Sequence, residues 1–176
     1  MLGITSDPLP MPLEMFTVIG EIVILWSRIE TSIDTDLETM KQWPVVAQMV
    51  PNGVRGFSKK LEHWRRAVKT LYPKVEVYQG HAAEFERAAK MVAKLRNHLI
   101  HGTWSMEATE CGGFVVTNVR RDKGGDKFEQ FEITMEVLLA LLDDMRSLDN
   151  YIVGFIGSRM LHAHLGLLKA DHEPSP

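Results

Sequence analysis

The sequence predicts a mainly α fold, an up-and-down antiparallel helical bundle with a small β-meander inserted before the last long helix. Three observations predict it. Apolar residues recur every three or four positions over most of the chain, the period falls to two between Thr103 and Ile133, and the breaks between periodic stretches fall at Pro and Gly. Helices that are apolar on one stripe cannot bury it alone, and antiparallel packing is the usual solution. With 176 residues the chain fits a single domain, 1–176, that can bury a core without disulfides.

Phe16, Ile19, Val23, Trp26, Ile29, Ile33, Leu37 and Met40 form the inner stripe of a first helix over about 12–40. Pro44, Pro51, Asn52 and Gly53 break the pattern and leave room for at most a short helical turn between Pro44 and Val50. Ser58 can cap a second helix over about 57–71, with Leu61, Trp64, Val68 and Leu71 inward and Pro73 as its stop. A third helix over about 80–101 carries Phe85, Ala88, Val92, Leu95 and Leu99 on one stripe. Gly102 suits the left-handed position that closes many helices.

Alternation at Trp104, Met106 and Ala108, then over Phe114–Val119 and Phe128–Ile133, predicts a three-stranded meander over about 103–133. Gly112-Gly113 and Gly124-Gly125 supply its turns. Thr134 can cap a last helix over about 134–165, with Val137, Leu138, Leu141, Leu142, Met145, Leu148, Ile152, Phe155 and Ile156 inward. Beyond it, about 169–176 reads as a flexible tail.

Forty-five per cent apolar and twenty-four per cent charged residues are the proportions of a soluble globular protein. The single cysteine, Cys111, cannot pair within the chain, and no basic stretch precedes an apolar one in the first dozen residues, so a cytoplasmic protein is expected. The most apolar run, Val18–Trp26, contains Glu21 and falls far short of the roughly 20 residues a membrane span requires. No membrane association is expected. The formal charge of -3 exerts no global pull on nucleic acid, so any RNA contact must come from a local basic face.

The third helix ends in Lys94-Leu95-Arg96-Asn97-His98-Leu99-Ile100-His101-Gly102, which gathers a guanidinium, a carboxamide and two imidazoles. Asn97 and His101 are four apart and share a face, whereas Arg96 lies about 7.5 Å from His101 in axial rise and must reach along the surface to join them. A guanidinium offers a planar fork for phosphate oxygens, and a carboxamide can orient a hydroxyl through donor and acceptor. His101 stands in the last turn, where the helix dipole favours the protonated imidazole.

Arginine, asparagine, three residues and histidine at the end of an amphipathic helix resemble the signature of the HEPN superfamily, small helical bundles many of which are metal-independent ribonucleases. Leu95 before the arginine and the Ile100-His101-Gly102 ending also agree with family usage. The resemblance implies Arg96, Asn97 and His101 as the catalytic set, acting without metal or cofactor on RNA whose 2′-hydroxyl attacks the adjacent phosphate. It implies a homodimer whose two motifs meet, and a place in a toxin or defence system with a cognate antitoxin or regulatory protein. Many toxin-type members carry a tyrosine two residues after the histidine, where Thr103 stands here.

Lys94, Lys90 and Arg87 line the third helix toward the motif and, with His98, are expected to hold the RNA backbone. Lys59, Lys60, Arg65, Arg66 and Lys69 make the second helix basic, although Glu62, Glu84 and Glu86 can neutralise it. A second reading is a non-catalytic HEPN-like module that binds a partner protein, nucleotide or RNA. A third is a metal-binding bundle, with His98 and His101 joined by Asp143, Asp144 or Glu30. His162, His164 and His172 read as surface decoration.

Overall fold

The computed structural model describes residues 11–122 and 125–164. Among them the architecture is mainly α: α1 Leu13–Met40, α2 Pro44–Met49, α3 Phe57–Leu71, α4 Glu76–His101 and α5 Met135–His164, with β1 Thr103–Ala108, β2 Phe114–Asp122 and β3 Gly125–Ile133 inserted between α4 and α5. The expected tail lies outside the described residues, as do His172 and Gly124. No described helix is long and apolar enough to cross a membrane. The chain divides into two compact units that share the three long helices. One comprises α1 to Val23 with Ala93–Asp143, the other Ile24–Val92 with α5 from Asp144 onward.

In the first unit the three strands form an antiparallel sheet in the order β1-β2-β3, as the period-two pattern predicts. Pairing of Val116 with Phe131 and of Phe114 with Ile133 fixes the register, and Phe114, Val116 and Ile133 are buried. Gly112 takes φ 72° in the first turn, a conformation that favours glycine. Thr134 caps α5 as expected, its Oγ1 accepting the Val137 N–H at 3.3 Å. The start of α1 departs from its expected stripe: Met15 and Ile22 are buried, while Phe16 and Val23 are each 38% exposed. Ile22-Val23-Ile24-Leu25 is apolar on every side, so spacing alone could not choose the inward position there.

The second unit is built around Trp64, which is fully buried with Phe85 and Phe155 edge-on at 5.6 and 5.5 Å. Arg65 meets Glu86, and Tyr72 meets Tyr78, so α3 and α4 run antiparallel. Phe85 on Tyr151 and Tyr78 on Phe155 set α4 antiparallel to α5. Arg28 pairs with Asp149 and Asp36 with Arg159, which puts α1 and α5 in the same direction. The connection through α2 returns the chain so that Trp26 packs on Phe57 at 4.3 Å.

Two helix starts differ from expectation. Ser58 does not cap α3: the N-cap is Gly56, at φ 84°, and Ser58 lies inside the first turn. Helix α4 begins at Glu76 rather than near residue 80, because Val75 opens the turn and Gln79 Nε2 donates to the Tyr72 and Pro73 carbonyls left over from α3.

Candidate functional site

The last turns of α4 meet the sheet at Gly102. Its φ is not in the left-handed region, contrary to expectation, and its requirement is space. A Cβ at Gly102 would lie 2.5 Å from the His98 carbonyl oxygen and 2.8 Å from Asn118 Nδ2, besides colliding with Val116 Cγ1. Gly102→Ala should therefore push the helix end off β2 and cost about 1–3 kcal/mol, as overpacking does. Denaturant titration of the variant checks this. A neutral result would mean that the helix end withdraws freely.

Close approach lets the sheet cap the helix. The His98 carbonyl accepts the Gly102 N–H at 2.9 Å and Asn118 Nδ2 at 3.4 Å, and the Leu99 carbonyl accepts Trp104 Nε1 at 3.0 Å. Asn118 and Trp104 were not anticipated in this role. Strand alternation, which sets Asn118 on the same face as the buried Val116, was the signal that could have found the first.

Among the described residues the Asn97 and His101 side chains take no part in this capping. Asn97 and His101 are exposed and four apart on one face of α4. Arg96, half-buried, donates from Nη1 to Asn97 Oδ1 at 3.0 Å, so guanidinium and carboxamide are joined. Among the described residues the His101 imidazole has no hydrogen-bond or ion-pair partner. The three residues singled out from sequence thus occupy one end of one helix.

His98 is placed differently. It is 7% exposed and turned under the sheet, its ring 4.1 Å from Phe131 and its Nε2 3.4 Å from Glu129 Oε2. Burial pushes its pKa below the ordinary value and Lys94 adds to that, while Glu129 opposes both. A base with a depressed folded-state pKa binds fewer protons folded than unfolded. Its stabilising contribution is complete above the unfolded value of 6.5 and is lost as the pH falls below it. Thermal unfolding should accordingly show a loss of stability below that pH that is reduced in His98→Leu, which also removes a buried Nδ1 lacking a hydrogen-bond partner. Equal pH profiles for the two proteins would show that His98 does not carry it.

The expected RNA-holding residues are separated by their partners. Lys94 Nζ lies 3.9 Å from Glu129 and 5.8 Å from the Phe131 ring centre. Lys90 pairs with Glu86 at 2.7 Å, and Arg87 is exposed. On α3, Lys60 pairs with Asp34, Arg65 with Glu86 and Arg66 with Glu62, so carboxylates neutralise much of the basic face. Among the described residues no three His, Cys, Asp or Glu side chains gather into a metal-binding group, and Asp143 and Asp144 are exposed. No family model, curated protein or solved structure matches the chain.

Proposed function

We propose that the chain is a HEPN-like, metal-independent endoribonuclease in which Arg96, Asn97 and His101 act on a phosphodiester. The observation that carries this reading is the capping of α4 by Asn118 and Trp104, together with the sheet's Gly102 contact. Residues of this type at a helix end usually serve its carbonyls. Here the His98 and Leu99 carbonyls are served by others, Asn97 and His101 are exposed, and the half-buried Arg96 is bonded to Asn97.

In the proposed reaction the 2′-hydroxyl oxygen forms a bond to the adjacent phosphorus as the bond to the 5′-oxygen breaks. The hydroxyl proton passes to a base, and an acid protonates the leaving 5′-oxygen. Arg96 would hold the non-bridging oxygens, and Asn97 would orient the attacking hydroxyl. One His101 supplies one proton carrier, and a second copy of the chain supplies the other, which makes a two-fold dimer part of the proposal.

The test is incubation with RNA, and with DNA of the same sequence, with and without chelator. RNA alone should be cut, chelator should leave the rate unchanged, and the fragments should end in a 2′,3′-cyclic phosphate and a 5′-hydroxyl. Light scattering should give a dimer. Intact RNA throughout would favour the second reading, a non-catalytic HEPN-like module, which the carboxylate partners of Lys60, Arg65 and Lys90 already favour over a strongly basic RNA track.

A further inference from the structure

The half of α4 before Val92 and the half of α5 after Asp144 line an open pocket of about 380 Å³, a size typical of small-ligand sites. Its wall is aromatic: Tyr78, His81, Tyr151, Phe155 and His162. The rings hold one another in place, Tyr78 and His81 each lying edge-on to Phe155. Two imidazole–phenol pairs face this space. His81 Nδ1 lies 2.5 Å from Tyr151 Oη, and His162 Nδ1 is hydrogen-bonded to Tyr78 Oη. His162 is therefore part of a built wall rather than surface decoration.

Each imidazole uses Nδ1 on its phenol, which fixes the ring and leaves Nε2 outside that bond. Burial first, then the neighbouring Glu84, holds the Tyr151 phenol above its ordinary pKa, so it remains a neutral hydroxyl. Asn150, Gly154 and Ser158 follow one another at single-turn spacing on α5 along the same pocket. A Cβ at Gly154 would meet nothing within 4 Å, so open space lies over that turn. Flat aromatic walls select a flat ligand. The Asn150 carboxamide and the imidazole nitrogens select one with hydrogen-bonding ring nitrogens, which an aliphatic ligand would leave unsatisfied.

Charge narrows the class further. An adjoining groove of about 310 Å³ shares Tyr151 and carries Glu84 and Asp144. Two carboxylates beside the pocket oppose a phosphate. We infer that this α4–α5 pocket binds a neutral, planar nitrogen heterocycle of the purine class, as a free base or nucleoside rather than a nucleotide. The inference rests on this pocket alone and does not depend on the nuclease reading.

Calorimetric titration of the full chain with adenosine, adenosine 5′-phosphate and oligoadenylate tests it. Saturable adenosine binding is expected, weakened by the 5′-phosphate. Gly154→Leu should abolish it by filling the open space, and the substitution raises helix propensity, so the variant should fold. Ser158→Leu fills the same pocket one turn on and serves as the second variant. Tighter binding of oligoadenylate or of the 5′-phosphate would overturn the neutral ligand and assign the pocket to a base within a strand or nucleotide. Absence of adenosine binding, or binding unchanged in both folded variants, would overturn the site.

Discussion

His101→Ala is expected to slow RNA cleavage by about 10²- to 10⁴-fold, the usual cost of removing a general acid or base, while leaving thermal unfolding close to that of the unsubstituted chain. The separation of the two effects follows from where the side chain stands. His101 is exposed, and the His98 and Leu99 carbonyls near it are served by Gly102, Asn118 and Trp104. Among the described residues its imidazole makes no hydrogen bond or ion pair.

Arg96→Lys supplies a second, sharper readout. Lysine keeps the charge but replaces a planar fork with a single ammonium, and it cannot reproduce the Nη1 bond to Asn97 together with a two-point grip on phosphate. The variant should lose cleavage nearly as completely as His101→Ala. Circular dichroism should show both variants folded. Cleavage at the unsubstituted rate in His101→Ala would remove the imidazole from the chemistry. Collapse of the fold in that variant, with the parent chain inert on RNA, would return the motif to a structural role at the helix end.

The architecture was legible where the pattern had contrast. Alternating strands, Gly112-Gly113 between β1 and β2, Pro73 after α3 and Thr134 before α5 each mark a boundary that the backbone obeys. Contrast failed in the run Ile22–Leu25, where the apolar face was misplaced by one residue. Gly102 was legible as a required glycine but not for its reason, because local sequence reports φ preferences and says nothing of a strand arriving from elsewhere in the chain.

The polar groups of the interior were the least legible part. Asp36, Asp149 and Arg159 are buried, and each sits on a helix among charged residues of similar spacing that face solvent. Their partners are far away in sequence: Asp36 meets Trp64 and Arg159, and Asp149 meets Arg28. Helical period assigns a face to each residue, yet only the assembled bundle shows that a carboxylate on the inner face has found a cation. His81, Tyr151, Tyr78 and His162 were hidden for the same reason, each pair being formed across two helices.

Asp36→Ala is expected to destabilise the fold by about 3–5 kcal/mol, the cost of leaving one partner of a buried ion pair alone. Asp36 and Arg159 are each only 3% exposed. The Asp36 carboxylate accepts from Arg159 Nη2 at one oxygen and from Trp64 Nε1, at 2.8 Å, at the other. Burial lowers the Arg159 pKa to about 10, and even so the guanidinium stays charged near neutral pH. Removing the carboxylate would strand that charge and orphan the indole N–H at the centre of the core at once. For a domain of this size the loss corresponds to a fall in Tm on the order of 10 °C. The double variant Asp36→Leu with Arg159→Met should recover the part due to the stranded guanidinium, because an apolar pair avoids the desolvation that the ion pair must overcome, while the Trp64 N–H stays unpaired. Asp36→Asn should fall between, keeping an acceptor for Trp64 while losing the counter-charge. Denaturant titrations of the parent chain, Asp36→Leu, Arg159→Met and the double variant measure the coupling directly. Equal losses in the single and double variants would show that the pair acts through shape alone, and that Arg159 finds its stabilisation over the Tyr72 ring, 5.6 Å away, rather than from Asp36.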